Sequence, residues 1–178
     1  SLYRYGLRRA EISPTEWEKI NQDPDAAPTA ATYCAPMMDM LLANMTSKVE
    51  EATGLSVYPT FSFYRVYKHG DFLGRHKDRP ACEIALTVNL GCQAASAWPL
   101  MVETLDGARS FNLETGDALL YRGIDLPHWR EQFQGIQAVQ VFLFWVDQNG
   151  PHAEWKYDKR PRLNSFLAPV MGGAASAS

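Results

Sequence analysis

No apolar run in these 178 residues approaches the roughly eighteen that a helix needs to cross a bilayer. The opening residues, Ser1-Leu2-Tyr3-Arg4, lack the charged head and apolar stretch of a secretory leader, so none is expected here. A large excess of either sign of charge is lacking as well. A formal net charge of -3 suggests neither a nucleic-acid groove nor a membrane surface, and no nucleic acid or membrane partner is expected. Cysteine is sparse and odd in number. Cys34, Cys82 and Cys92 have no zinc-type spacing and fit free thiols in a reducing compartment, which makes the cytoplasm the default location. There is no internal repeat. Histidine, with four residues, is scarce enough for each position to be weighed singly.

What is present reads as one globular domain, with 46% hydrophobic and 21% charged residues. Ser13-Pro14-Thr15-Glu16 combines a cap, a proline at the first helical position and a capping-box glutamate, predicting a short helix to about Gln22. Asp23 to Ala31 is a loop by composition. From Tyr33 to about Thr53 the spacing is helical: Met38, Leu41, Leu42, Met45 and Val49 share a face, and Gly54 supplies the stop. Methionines at this spacing are expected to be core.

After Gly54 the pattern changes to short runs rich in aromatic and β-branched residues. They span Phe61–Lys68, Ile84–Leu90, Leu100–Leu105, Ala108–Leu113, Ala118–Arg122 and Ala138–Val146, with an Asp106-Gly107 hairpin turn. Helices followed by evenly spaced strands predict a mostly β fold, a jelly-roll barrel buttressed by two N-terminal helices. The expected organisation is a single domain over 1–170, with helices over about 13–53, the barrel over about 57–146 and an extension over 147–170. Trp155, Tyr157 and Phe166 are candidate anchors for the extension, and residues 171–178 form a tail with nothing to bury.

Chemistry concentrates in His76-Lys77-Asp78. In an extended segment, residues two apart point the same way, so His76 and Asp78 can reach one metal while Lys77 faces elsewhere. A third ligand must come from a later strand, and His128 in Leu126-Pro127-His128-Trp129-Arg130 is the best placed. A lone His-x-Asp is commonly only a surface pair. Here, however, two of the four histidines lie in strand contexts separated by a hairpin region, whereas His69 beside Gly70 and His152 beside Pro151 read as solvated. Two histidines and a carboxylate leave coordination positions open, the arrangement of non-haem iron(II) oxygenases. His76 and Asp78 are expected at the end of one strand, and His128 at the start of another on the facing sheet.

The segment Tyr67-Lys68-His69-Gly70-Asp71-Phe72-Leu73-Gly74-Arg75-His76-Lys77-Asp78 resembles the signature of the iron(II)- and 2-oxoglutarate-dependent oxygenases, in particular their prolyl 4-hydroxylase-like branch. The resemblance continues through Thr87-Val88-Asn89-Leu90 and Gly116-Asp117-Ala118-Leu119-Leu120-Tyr121 to His128, covering roughly Phe61 to Val146. It implies a double-stranded β-helix, with iron(II), 2-oxoglutarate and dioxygen as cofactors. The implied reaction is oxidative decarboxylation of 2-oxoglutarate coupled to hydroxylation of an unactivated C–H bond. Asp78, where a halogenase would carry a small residue, disfavours halogenation. The family usually binds the far carboxylate of 2-oxoglutarate with an Arg or Lys about ten residues after the distal histidine. This chain has Gln137-Ala138-Val139-Gln140 there. A dicarboxylate in a barrel needs a cation. Arg130, two residues past His128, and Arg65, two before Tyr67, both qualify by strand alternation, although either can instead make a strand-edge salt bridge. Arg130 is favoured, with Tyr67 as hydroxyl donor.

Tyr64, Tyr121, Trp129, Phe142, Phe144 and Trp145 are candidates for a pocket lining or plain core, and Arg79 for a substrate carboxylate or a pair with Glu83. The substrate class stays open among an amino acid, a peptide side chain and another small molecule. Two other readings remain: a 2-oxoglutarate-independent, cupin-like metal enzyme, and a non-catalytic binding module with a degenerate site.

Overall fold

A computed structural model describes residues 30–163. The helix expected over Ser13–Gln22, Phe166 and the tail lie outside the described residues. Helix α1 (Pro36–Thr53) starts on a proline within its first turn and ends at Gly54, which adopts the left-handed conformation (φ 69°) that glycine takes without strain. Met38, Leu42 and Val49 are buried, and Leu41 and Met45 pack beside them, so the methionine face is core as expected. Among the described residues no helix is long and apolar enough to cross a membrane.

The strands are β1 (Ala30–Tyr33), β2 (Val57–Lys68), β3 (Leu73–His76), β4 (Ile84–Gln93), β5 (Leu100–Thr104), β6 (Gly107–Phe111), β7 (Ala118–Tyr121), β8 (His128–Arg130) and β9 (Gln137–Asp147). They form a five-stranded sheet, β1-β2-β9-β4-β7, and a four-stranded sheet, β3-β8-β5-β6. Every pairing among them is antiparallel. Alternation along each strand of the larger sheet sorts side chains between two cores. Ala138, Phe142 and Phe144 of β9 join Phe61 and Tyr67 of β2 and Leu100 and Val102 of β5 in the core between the sheets. Val139, Val141, Leu143 and Trp145 face the other way, onto α1. The result is a jelly roll with a helix against its larger sheet.

Asp106-Gly107 makes the expected turn: Thr104 pairs with Gly107, whose φ is 102°. The start of α1 differs from expectation. Ala30–Tyr33, read as loop and helix start, is instead an edge strand on β2, with Thr32 opposite Tyr64. The hydrogen-bonding edge of β2 outweighs local helical spacing there, and Pro36 marks where the helix can begin. A second difference concerns the candidate ligands. His76 and His128 lie not on facing sheets but on adjacent strands of the same sheet, directly opposite each other. Strands of three or four residues carry too little alternation to reveal their partners in advance.

Candidate metal centre

Pairing of β3 with β8 puts the His76 and His128 rings 4.4 Å apart at the barrel interior. Asp78 completes the group just past β3, where its backbone N–H donates to the Gly123 carbonyl at 3.0 Å. Asp78 Oδ1 is 3.5 Å from His76 Nε2 and 3.7 Å from His128 Nε2. The three ligand atoms all lie within 4.8 Å of one another. His69 is exposed and His152 half-buried; neither joins the cluster.

The imidazoles are oriented by backbone carbonyls. His76 Nδ1–H donates to Gly74 at 2.8 Å and His128 Nδ1–H to Leu126 at 2.9 Å, assignments that turn both Nε2 lone pairs toward Asp78. Burial holds His128 below its ordinary pKa, against the opposing pull of the Asp78 carboxylate, a shift toward the neutral form that a ligand needs. Asp78 Oδ2 is buried with no hydrogen-bond partner, a costly condition that a cation relieves. Two imidazoles, one carboxylate and an unsatisfied carboxylate oxygen fit a divalent iron-type site with open positions.

Sequence reasoning missed the residue that makes room for Asp78. A Cβ on Gly123 would stand 2.1 Å from Asp78 Oδ2 and 2.8 Å from the Cys82 carbonyl. Nothing around Arg122-Gly123-Ile124 announces so distant an approach; only the fold brings the two segments together.

Arg130 points inward from β8, 2% exposed, and Trp129 between it and His128 faces outward beneath Arg75. Its guanidinium donates to the Trp98 carbonyl at 2.6 Å and to Gln140 Oε1 at 3.1 Å, and stacks on the Trp98 ring. Among the described residues it has no carboxylate partner, and its Nε–H is buried without an acceptor. Arg65 also faces the interior, 4% exposed, over the rings of Phe63 and Tyr67. Tyr67 is fully buried, edge-on to Trp98, and its hydroxyl has no partner among the described residues.

The aromatic candidates divide. Tyr121, Phe142 and Phe144 line the interior, whereas Tyr64 and Trp145 pack on α1. Trp155 packs against the interior cluster, as an anchor should. Arg79 does not pair with Glu83. It makes a bidentate pair with Asp158 at 2.8 Å, and Glu83 is taken by Arg122 and the Asp147 backbone.

No family model matches the sequence, and no curated protein is similar to it in sequence. Solved structures resemble it in fold. A prolyl-4-hydroxylase from Pseudomonas putida superposes with a TM-score of 0.58 at 16% identity, over 80% of this chain and 85% of that one. AviO1 from Streptomyces viridochromogenes gives 0.60 at 14%, over 83% and 84%. An oxidoreductase of the 2OG-Fe(II) oxygenase family from Burkholderia pseudomallei gives 0.52 at 16% over 61% of this chain, which spans only 54% of that protein. Identity this low makes the likeness one of fold: the chain is a double-stranded β-helix of the kind found in 2-oxoglutarate–iron(II) oxygenases and prolyl hydroxylases.

Proposed function

We propose that this chain is an iron(II)- and 2-oxoglutarate-dependent dioxygenase that hydroxylates an unactivated C–H bond of an amino acid, peptide or other small molecule. The observation carrying this reading is the convergence of His76, Asp78 and His128 at 4.8 Å or less inside a barrel of that fold. These three residues would hold iron(II), which supplies the activation of dioxygen that no side chain can provide.

The protein's own residues supply the rest. Gly74 and Leu126 hold the imidazole rings in place through their carbonyls, and Gly123 leaves the space in which the Asp78 carboxylate lies. Arg130 binds the far carboxylate of 2-oxoglutarate with its unsatisfied donors, and the Tyr67 hydroxyl donates to the same ligand. A buried guanidinium without a carboxylate is expensive to maintain, which favours an anion as its natural partner. Arg65 is the competing anchor, but its face is already covered by two aromatic rings. Phe142, Phe144 and Tyr121 keep water from the reacting end.

One observation favours a 2-oxoglutarate-independent metal enzyme instead: Ala138 and Gln140, rather than a cation, face inward after the distal histidine. Succinate release measured with iron(II), 2-oxoglutarate and panels of amino acids, peptides and small acids separates the readings. Succinate formed in step with product supports the proposal. Turnover without 2-oxoglutarate transfers the chain to the cupin-like class, and absence of both turnover and metal binding leaves a binding module.

A further inference from the structure

Arg130 does not sit alone at its end of the barrel. Gln140 on β9 lies opposite Asn89 on β4, and both side chains turn inward. Gln140 Oε1 accepts from Arg130, while Gln140 Nε2–H donates to Asn89 Oδ1 at 3.0 Å. Asn89 is fixed in turn: its Nδ2–H donates to the Leu113 carbonyl at 2.7 Å, and its Oδ1 also accepts from the Gly91 N–H at 3.0 Å. Each amide therefore has one workable orientation, and reversing Gln140 would aim an NH2 group at the guanidinium. Gln140 is 2% and Asn89 5% exposed, and each is held by protein partners.

We infer that Gln140, locked by Asn89, is a positioning residue that orients the Arg130 guanidinium while leaving its positive charge free for a ligand carboxylate. This deepens the oxygenase reading and rests on it. The chemistry of the acceptor decides the point. A carboxylate at position 140 could still accept from Arg130, but it would neutralise the guanidinium, occupy the donors that a ligand needs and have no hydrogen to give Asn89 Oδ1. A neutral amide orients without neutralising. With one hydrogen of each terminal nitrogen engaged, the Nε–H and the remaining terminal hydrogens are left for a planar carboxylate. Beside this edge lies a cavity of about 660 Å³ whose walls include Asn89, Cys92, Trp98, Glu114, Arg130 and Gln140 but none of the metal-ligand candidates. The charge is thus held near open space rather than sealed in packing.

The test compares two probes on the full chain loaded with zinc, which binds but does not turn over. Calorimetry measures 2-oxoglutarate and 2-oxopentanoate, which has the same chain length but lacks the far carboxylate. Gln140→Glu should reduce the preference for 2-oxoglutarate over 2-oxopentanoate at least about tenfold, with 2-oxopentanoate and zinc affinities within about twofold of the parent. Gln140→Met, which removes the acceptor without adding charge, should reduce the preference by a smaller factor. If Gln140→Glu fails to fold, Gln140→Met alone decides. A preference equal to the parent's, or a uniform weakening of both probes, overturns the inference. Should the parent bind zinc but show no preference for 2-oxoglutarate, the oxygenase reading itself fails, a distinct result.

Discussion

Gly123→Ala is the sharpest single perturbation of the metal centre, because it adds one methyl group and changes no ligand. That methyl would lie 2.1 Å from Asp78 Oδ2, 3.0 Å from Asp78 Cγ and 2.8 Å from the Cys82 carbonyl oxygen. Ordinary contact between such atoms is about 3.4 Å or more, so the carboxylate must retreat by about 1.3 Å or the backbone must shift. The Cys82 carbonyl blocks the methyl from the other side, and the carboxylate is the softer neighbour. Coordination tolerates displacements of only about 0.2 Å. The expected result is a metal affinity lower by about a hundredfold or more, with a stability loss limited to about 1–3 kcal/mol, the usual cost of overpacking. Competition against a chelator of known affinity measures the first, and chemical denaturation without metal the second. A variant that binds metal as the parent does, with its fold intact, would show that Asp78 is not a ligand in the observed position.

The larger sheet and its helix were legible because their signals are periodic and long. The face containing Met38, Leu42 and Val49 repeats over several turns, and β9 alternates across eleven residues, sorting Phe142 and Phe144 from Val141 and Leu143. The candidate ligands were legible for a different reason: two-residue spacing in an extended segment fixes a shared side, and histidine is rare in this chain. Their sheet placement was not. Whether β8 pairs with β3 or faces it depends on closure of the barrel, to which three residues contribute no pattern. The strand Ala30–Tyr33 was hidden because the edge of β2 supplies its hydrogen bonds. Gly123, Gln140 and Asn89 were invisible for one shared reason. Each acts on a residue far away in sequence, through space that exists only after folding. The empty place of a cation after His128 was readable, but the amide pair standing there was not.

Among the remaining predictions, His76→Ala, Asp78→Ala and His128→Ala should each weaken metal binding more than about a hundredfold, beyond the ten- to hundredfold typical of outer-shell changes, with circular dichroism unchanged. Full metal affinity in His128→Ala would send the search to His69 or His152. Arg130→Lys should raise the Michaelis constant for 2-oxoglutarate about ten- to a hundredfold, the scale of one lost charge-assisted hydrogen bond, while metal affinity holds. Arg65→Lys is its control, and a reversed outcome moves the anchor to Arg65. The last prediction concerns acid. Asp158 receives the bidentate Arg79 pair and the Tyr33 hydroxyl; burial alone would raise its pKa, but these donors outweigh it and hold the carboxylate below its ordinary range. A folded pKa lower than the unfolded one contributes stability in full above the ordinary value of about 3.9, and that stability drains away as pH falls through the folded value. The segment Ala153–Lys159, with Trp155 set against the barrel, should therefore lose its tether in acid. Melting of the parent and of Asp158→Asn between about pH 6 and about pH 2 gives the comparison: the parent's advantage should be constant down to about pH 5 and shrink below about pH 4. Parallel curves across the whole range would mean that Asp158 has the same proton affinity folded and unfolded, and the Arg79 pair would then hold nothing down.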